Sequence, residues 1–232
     1  MRHEEAPFRN RHNAGRRLAQ RLARYRDENP VVLALPRGGV PVGYEISRSL
    51  NAPLDVFIAR KLGAPGRPEL GIGAVAQGGL RVLNADAIRA LGIPKEQIER
   101  VAKRETAEIE RRLGLLRGDS PEPEVRGRTA ILVDDGLATG VTARAAIEAL
   151  RRRDPRRLVL AVPVCAAPSA ELLRPEVDDL ICLKTPSGPT AISLWYRNFE
   201  QVPDEEVIKL LKDARREREE RDATGPDLRG TS

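Results

Sequence analysis

Short, wholly apolar runs recur along this chain, each leading through a turn of small residues into an amphipathic helix, and they constrain the fold more than any other feature. Val31-Val32-Leu33-Ala34-Leu35 follows a stop at Asn29-Pro30 and passes through Gly38-Gly39 into a helix carrying Val42, Ile46 and Leu50. Thr129 to Val133 leads through a small-residue loop into a helix over Gly140 to Arg152, with Ala143, Ala146, Ile147 and Leu150 on one face. Leu158 to Val164 and Val177 to Leu183 read as two more buried strands, separated by a short helix over Ser169 to Leu173. Strands apolar on both faces belong to a parallel sheet covered by helices, and the strand–helix alternation is that of an open α/β sheet.

The segments between these units are less regular. A basic helix is predicted over Gly15 to Arg26, and a second strand over Asp55 to Ala59. The Gly/Pro-rich stretch Gly63 to Gly73 reads as a mobile loop, followed by a hairpin of Gly73 to Gln77 and Leu80 to Leu83 joined by Gly78-Gly79. A long helix from Pro94 to Leu116 carries Ile98, Ala102, Ile109, Leu113 and Leu116 as a stripe with a gap near Glu105. That stripe fits a helix packed on the sheet or a seam between subunits. Gly118 to Gly127 reads as a loop, and Pro203-Asp204-Glu205-Glu206 opens a last helix to about Arg218. The expectation is one domain over residues 1–222: a core of about 30–185, an insertion or cap at about 84–126, a C-terminal segment 186–222, and a disordered tail 223–232.

Composition removes several function classes. No run approaches the roughly 18 apolar residues of a membrane span, and the charged start MRHEEAPFRNR lacks the apolar region of a signal peptide. Cys165 and Cys182 sit in apolar stretches without ligand-type neighbours, which argues against a disulfide scaffold or a zinc site and for a reducing cytoplasm. Forty basic residues against 34 acidic ones give +6, which favours an anionic partner. With aromatics at 3%, base-stacking platforms are scarce, so a phosphorylated small molecule fits better than nucleic acid.

The chemistry concentrates in Ala130-Ile131-Leu132-Val133-Asp134-Asp135-Gly136-Leu137-Ala138-Thr139-Gly140-Val141-Thr142. The strand delivers its end to the carboxyl edge of the sheet, where open α/β folds bind ligands. There Asp134 and Asp135 can accept hydrogen bonds from a diol. Gly136 and Gly140 let backbone N–H groups converge, and these donors, the hydroxyls of Thr139 and Thr142, and the helix N-terminus form an anion site. Each charge-assisted hydrogen bond contributes roughly 1.5–3 kcal/mol, so a few hold a phosphate monoester firmly. Taken as two acids and two glycines alone, the segment would equally suit a capped strand–turn–helix.

The complete pattern resembles the signature of the type I phosphoribosyltransferases, which bind 5-phosphoribosyl-1-pyrophosphate (PRPP) there. The resemblance implies that Asp134 and Asp135 hold the ribose hydroxyls and that Gly136, Leu137, Ala138, Thr139, Gly140, Val141 and Thr142 wrap the 5′-phosphate. Leu35-Pro36-Arg37-Gly38-Gly39-Val40 lies where these enzymes carry their pyrophosphate loop, with Arg37, Gly38 and Gly39 as contacts and a strained peptide bond expected at Pro36-Arg37. Arg60-Lys61 is similar to the Arg-Lys pair of orotate phosphoribosyltransferases, and Leu62 to Gly79 takes the place of their flexible catalytic loop. Phe8-Arg9-Asn10-Arg11, Ala14-Gly15 and Trp195-Tyr196-Arg197-Asn198-Phe199 resemble a bacterial group of phosphoribosyltransferases with no assigned acceptor.

The chain departs from better-known members at two points. Ala138 stands where hypoxanthine-guanine enzymes carry an acidic general base, and Ala64 where orotate enzymes carry a mobile-loop lysine. The acceptor pocket is expected near Leu183 to Phe199, with Trp195 and Tyr196 either stacking on a base or anchoring the C-terminal helix. The resemblance thus implies an enzyme of type I fold with a small cap, transferring phosphoribosyl from PRPP to a nitrogenous acceptor, with Mg²⁺ carried mainly by PRPP, and a homodimer. The alternative is a non-enzymatic PRPP sensor that binds nucleic acid or a protein partner.

Overall fold

The computed structural model describes residues 8–187 and 191–224. In chain order the elements are α1 (Arg11–Leu22), β1 (Pro30–Ala34), α2 (Gly39–Leu50), β2 (Leu54–Val56), β3 (Ala59–Ala64), β4 (Arg67–Ala76), β5 (Arg81–Leu83), α3 (Ala85–Leu91), α4 (Lys95–Arg117), β6 (Thr129–Val133), α5 (Val141–Arg151), β7 (Arg157–Val164), α6 (Ala167–Leu173), β8 (Asp179–Lys184) and α7 (Asp204–Ala223).

Five strands form a parallel sheet in the order β2-β1-β6-β7-β8. Alternation along each strand divides its apolar side chains between two faces. Val32, Ala34, Ile131, Val133, Val159 and Ala161 join one core with residues of α1, α2, α4 and α7. Val31, Leu33, Ala130, Leu132, Leu158 and Leu160 join the other with residues of α5 and α6. The chain runs outward from β1 to β2 and returns to add β6, β7 and β8 on the opposite side, so the direction of winding reverses between β1 and β6. Such reversals open a crevice at the carboxyl ends of the strands.

The stretch predicted as a mobile loop is structured. β3, β4 and β5 make a separate antiparallel sheet in that order, and Pro65-Gly66 forms the turn between β3 and β4. A Pro-Gly pair is turn chemistry, while Leu62, Ala64 and Ile72 are buried in the hairpin. The predicted second strand also divides. β2 ends at Val56, and Arg60-Lys61 therefore lie inside β3 rather than at the end of a core strand. The predicted Gly73–Leu83 hairpin is present as β4–β5.

Helix ends move as well. Asn10 caps α1, its side chain accepting from the Asn13 N–H at 2.9 Å, so the helix starts before Gly15 and ends in a 3₁₀ turn over Ala23–Glu28. α7 runs past Arg218 to Ala223; the predicted tail beyond residue 224 lies outside the described residues. α4 buries Ile98, Ala102, Ile109 and Leu116 as its stripe predicts, and lies against β2, β3, β4 and α7. Among the described residues no helix is long and apolar enough to cross a membrane.

Candidate active site

β1 and β6 are neighbours, so their carboxyl ends bring two loops together at the point of reversal. The Leu35 N–H donates to the Val133 carbonyl at 2.8 Å, continuing the ladder past β1 into Pro36-Arg37, whose peptide bond is cis. The next two residues touch the acids that end β6. A Cβ on Gly38 would stand 1.9 Å from Asp135 Oδ2, and one on Gly39 would stand 2.7 Å from the Val133 carbonyl oxygen. Glycine is the residue that permits this approach. Arg37 projects from the same loop towards the start of α7, with Nη1 3.8 Å from Asp204 Oδ1.

The two carboxylates are held differently. The Asp135 N–H donates to Asp134 Oδ1 at 2.8 Å. Burial, reinforced by the charge of Asp135, pushes the Asp134 carboxyl well above the usual carboxylate range. Asp135 meets Arg11, whose Nε donates to Oδ2 at 2.7 Å, and its carbonyl accepts from the Tyr196 hydroxyl at 2.6 Å.

The loop after Asp135 is pinned from behind and open in front. The Leu137 N–H donates to the Val164 carbonyl and the Ala166 N–H to the Leu137 carbonyl, each at 2.9 Å, which ties the loop to the end of β7. The Ser169 hydroxyl donates to the Ala138 carbonyl at 2.7 Å. Gly140 takes a left-handed conformation (φ 70°) and starts α5 with no side-chain cap, leaving first-turn N–H groups for an incoming anion. Ala138, Thr139, Val141 and Thr142 are exposed around that opening.

Arg60 and Lys61 point to opposite sides of β3, as strand alternation requires. Arg60 Nε donates to Glu105 Oε2 at 2.7 Å. Burial would raise the Glu105 carboxyl, but hydrogen bonds from Arg60 and Arg104 outweigh it and hold the group below its ordinary value. Lys61 donates to the Glu69 carbonyl at 3.1 Å and lines a cleft of about 680 Å³ that also contains Thr139 and Val141. The structure thus brings Gly38, Gly39, Asp134 and Asp135 together, and Lys61 beside the phosphate-loop residues, while Arg60 lies outside that cleft.

Tyr196 is 6% exposed, and its ring lies 5.5 Å from Phe8 and 4.9 Å from Phe199 between centroids. Trp195 packs into the same cluster. Phe8 and Tyr196 also form an isolated backbone bridge, which joins the segment before α1 to the segment before α7. Sequence reasoning assigned no role to Arg11, Glu105 or Asp204. Glu105 left a signal, since it occupies the gap in the apolar stripe of α4.

Comparison with known proteins decides the family. The model of the phosphoribosyl transferase domain matches residues 8–197. The chain belongs to this family. Two proteins of Mycobacterium tuberculosis, Rv0571c of strain H37Rv and MT0597 of strain CDC 1551, carry names that assign them provisionally to the phosphoribosyl transferases, and each is 42% identical over 210 residues. That match covers 90% of this chain but 47% of each relative, so the chain spans about half the length of the curated relatives it matches. The crystal structure of TT1426 from Thermus thermophilus superposes with a TM-score of 0.79 at 40% identity, covering 89% of this chain and 98% of that one. The fold is that of the type I phosphoribosyltransferases.

Proposed function

We propose that this chain is a phosphoribosyltransferase that binds Mg²⁺–PRPP and transfers the 5-phosphoribosyl group to a nitrogen of a small acceptor, a nucleobase being the class that best fits, with release of pyrophosphate. The observation that carries this reading is the meeting of the two loops at the point of sheet reversal, with Gly38 against the carboxylate of Asp135. A diol-binding acid pair, an uncapped helix start and a glycine loop with an arginine side by side match the ribose diol, the 5′-phosphate and the pyrophosphate of PRPP.

In this reading the N–H groups and hydroxyls from Gly136 to Thr142 hold the 5′-phosphate, Asp134 and Asp135 hold the ribose hydroxyls, and Arg37, Gly38 and Gly39 receive the pyrophosphate. Arg60 and Lys61 add positive charge from β3. Among the described residues no three acidic, His or Cys side chains converge as a metal cage. In this reading a magnesium ion arrives on the pyrophosphate, and Asp134 and Asp135, hard oxygen donors at the edge of the same crevice, would complete its shell. When bound, the ion would offset charge on the leaving group.

The C1–O bond to pyrophosphate breaks with its electron pair leaving on oxygen. The C1–N bond forms from the acceptor lone pair, and the acceptor's proton passes to water. The transition state is a sugar cation, so the chain contributes mostly positioning and electrostatics: the carboxylates face developing positive charge and the cations face the departing anion. The remaining expectations, a homodimer in the cytoplasm without membrane or nucleic-acid partners, go with this reading.

Pyrophosphate release from Mg²⁺–PRPP, measured across a panel of nucleobases and small amines, tests the proposal. Release with at least one acceptor, lost in the Asp134→Asn/Asp135→Asn double variant, supports it. Tight PRPP binding without turnover on any acceptor would favour a PRPP sensor instead.

A further inference from the structure

The two terminal segments are joined directly over the site. The Phe8 N–H donates to the Trp195 carbonyl at 2.8 Å, the Arg197 N–H to the Phe8 carbonyl at 2.8 Å, and the Asn198 N–H to the Arg9 carbonyl at 3.1 Å. Two groups extend from this clasp to one residue. The Tyr196 hydroxyl donates to the Asp135 carbonyl, and Arg11 Nε donates to Asp135 Oδ2. The guanidinium of Arg11 is itself fixed on two further sides: its carbon lies 3.9 Å from the centre of the Phe199 ring, and Nη1 donates to the Glu200 carbonyl at 2.7 Å.

This arrangement differs from a surface ion pair. The side chains of Arg11 and Asp135 are 11% and 16% exposed, so water competes little for either. The stacked, forked guanidinium has one direction left for Nε, which lysine could not reproduce. Oδ2 is thereby turned towards Gly38, and among the described residues nothing hydrogen-bonds Oδ1.

We propose that Arg11 is a positioning residue of the active site: with Tyr196 it fixes the backbone and the carboxylate of Asp135, so that Oδ1 is presented to the ribose hydroxyls. The inference rests on the reading of Asp135 as a ribose ligand, and it makes a residue of the N-terminal segment and one of the C-terminal segment part of the same device. It accounts for the two terminal motifs, to which the reaction itself assigns no role.

The test compares wild-type protein, Arg11→Lys, Arg11→Gln and Arg21→Gln, the last an exposed arginine of α1 that serves as the charge control. Calorimetric titration with Mg²⁺–PRPP should show affinity about 10- to 100-fold weaker for Arg11→Gln, in line with the cost of misplacing a binding group by about 1 Å. Arg11→Lys should recover part of the loss, and Arg21→Gln should match wild type. A second readout needs no PRPP: the position of the Asp135 carboxylate in a crystal structure of unliganded Arg11→Gln. Without the hydrogen bond from Arg11 Nε to Oδ2, the Asp135 carboxylate should leave its place against Gly38 in Arg11→Gln. Thermal melts confirm that each variant is folded, with Arg11→Lys as the milder change. Unchanged PRPP affinity in Arg11→Gln overturns the proposal. If wild type itself fails to bind Mg²⁺–PRPP, the transferase reading falls, and the variant's crystal structure alone decides whether Arg11 orients Asp135: an unmoved carboxylate refutes it.

Discussion

Gly38 has helical backbone angles (φ −62°, ψ −31°), so alanine can replace it without backbone strain, and the whole effect falls on its neighbour. The new Cβ would stand 1.9 Å from Asp135 Oδ2 and 2.5 Å from Cγ, where real Cβ atoms essentially never come within 3.0 Å. The carboxylate must therefore retreat by 3.0 − 1.9 = 1.1 Å at least, which also breaks its 2.7 Å hydrogen bond from Arg11. Misplacement of a reacting or binding group by about 1 Å costs on the order of 10²-fold in rate. That corresponds to about 2.7 kcal/mol of transition-state stabilisation. We expect Gly38→Ala to lower kcat/KM for PRPP by about 100-fold in a pyrophosphate-release assay while its thermal melt stays close to wild type. Gly39→Ala gives the contrast, because its Cβ would meet backbone, the Val133 carbonyl and the Asp134 Cα, and should lower stability instead. Wild-type kcat/KM in Gly38→Ala would refute the argument that this loop and Asp135 share one site.

Other perturbations separate the site from its scaffold. Because the Asp134 carboxyl is raised well above its unfolded value, it favours the folded state at low pH and that contribution is lost as pH rises through the raised value. Asp134→Asn should therefore gain Tm over wild type increasingly as pH rises above the ordinary carboxylate range, and a pH-independent difference would contradict this. Glu105→Ala should release Arg60 and lower kcat/KM about tenfold, the size of one charge-assisted hydrogen bond; unchanged kinetics would show that Arg60 has no part in catalysis. Asp55, 2% exposed and 2.8 Å from Arg117 Nε, sits in the edge strand β2 beside Leu33 of β1. Asp55→Ala removes the nearer carboxylate of Arg117, which keeps Glu122 at 3.7 Å, and should cost about 1–3 kcal/mol in chemical denaturation, with PRPP affinity of the folded protein unchanged.

The parts of the fold that were legible in the sequence are those whose physics is local. Apolar runs buried on both faces announced β1, β6 and β7, whereas β8, expected to be buried, is a half-buried edge strand; the run from Ala130 to Thr142 announced a strand, a pair of acids and a helix start. The region from Asp55 to Gly73 was misread because glycine and proline mark hairpin turns as readily as open loops. Only packing of Leu62, Ala64 and Ile72 into the core shared with α4 decides between them. Tyr196 stayed ambiguous since an aromatic residue suits a binding surface and a buried cluster equally. Arg11 was illegible for a stronger reason: its partner lies 124 residues away, and no local pattern marks one arginine among 34 as the one that reaches Asp135. Glu105 was partly legible, because an acid in register with an apolar stripe needs a buried cation to face it.

Calorimetric titration of PRPP into the protein, with and without Mg²⁺ and beside the Asp134→Asn/Asp135→Asn double variant, tests the central claim most directly. Metal-dependent binding at one site per chain, abolished in a double variant that still melts cooperatively, is the predicted result. Equal binding by wild type and variant, or none by wild type, would contradict the assignment of the β1–β6 crevice as a PRPP site.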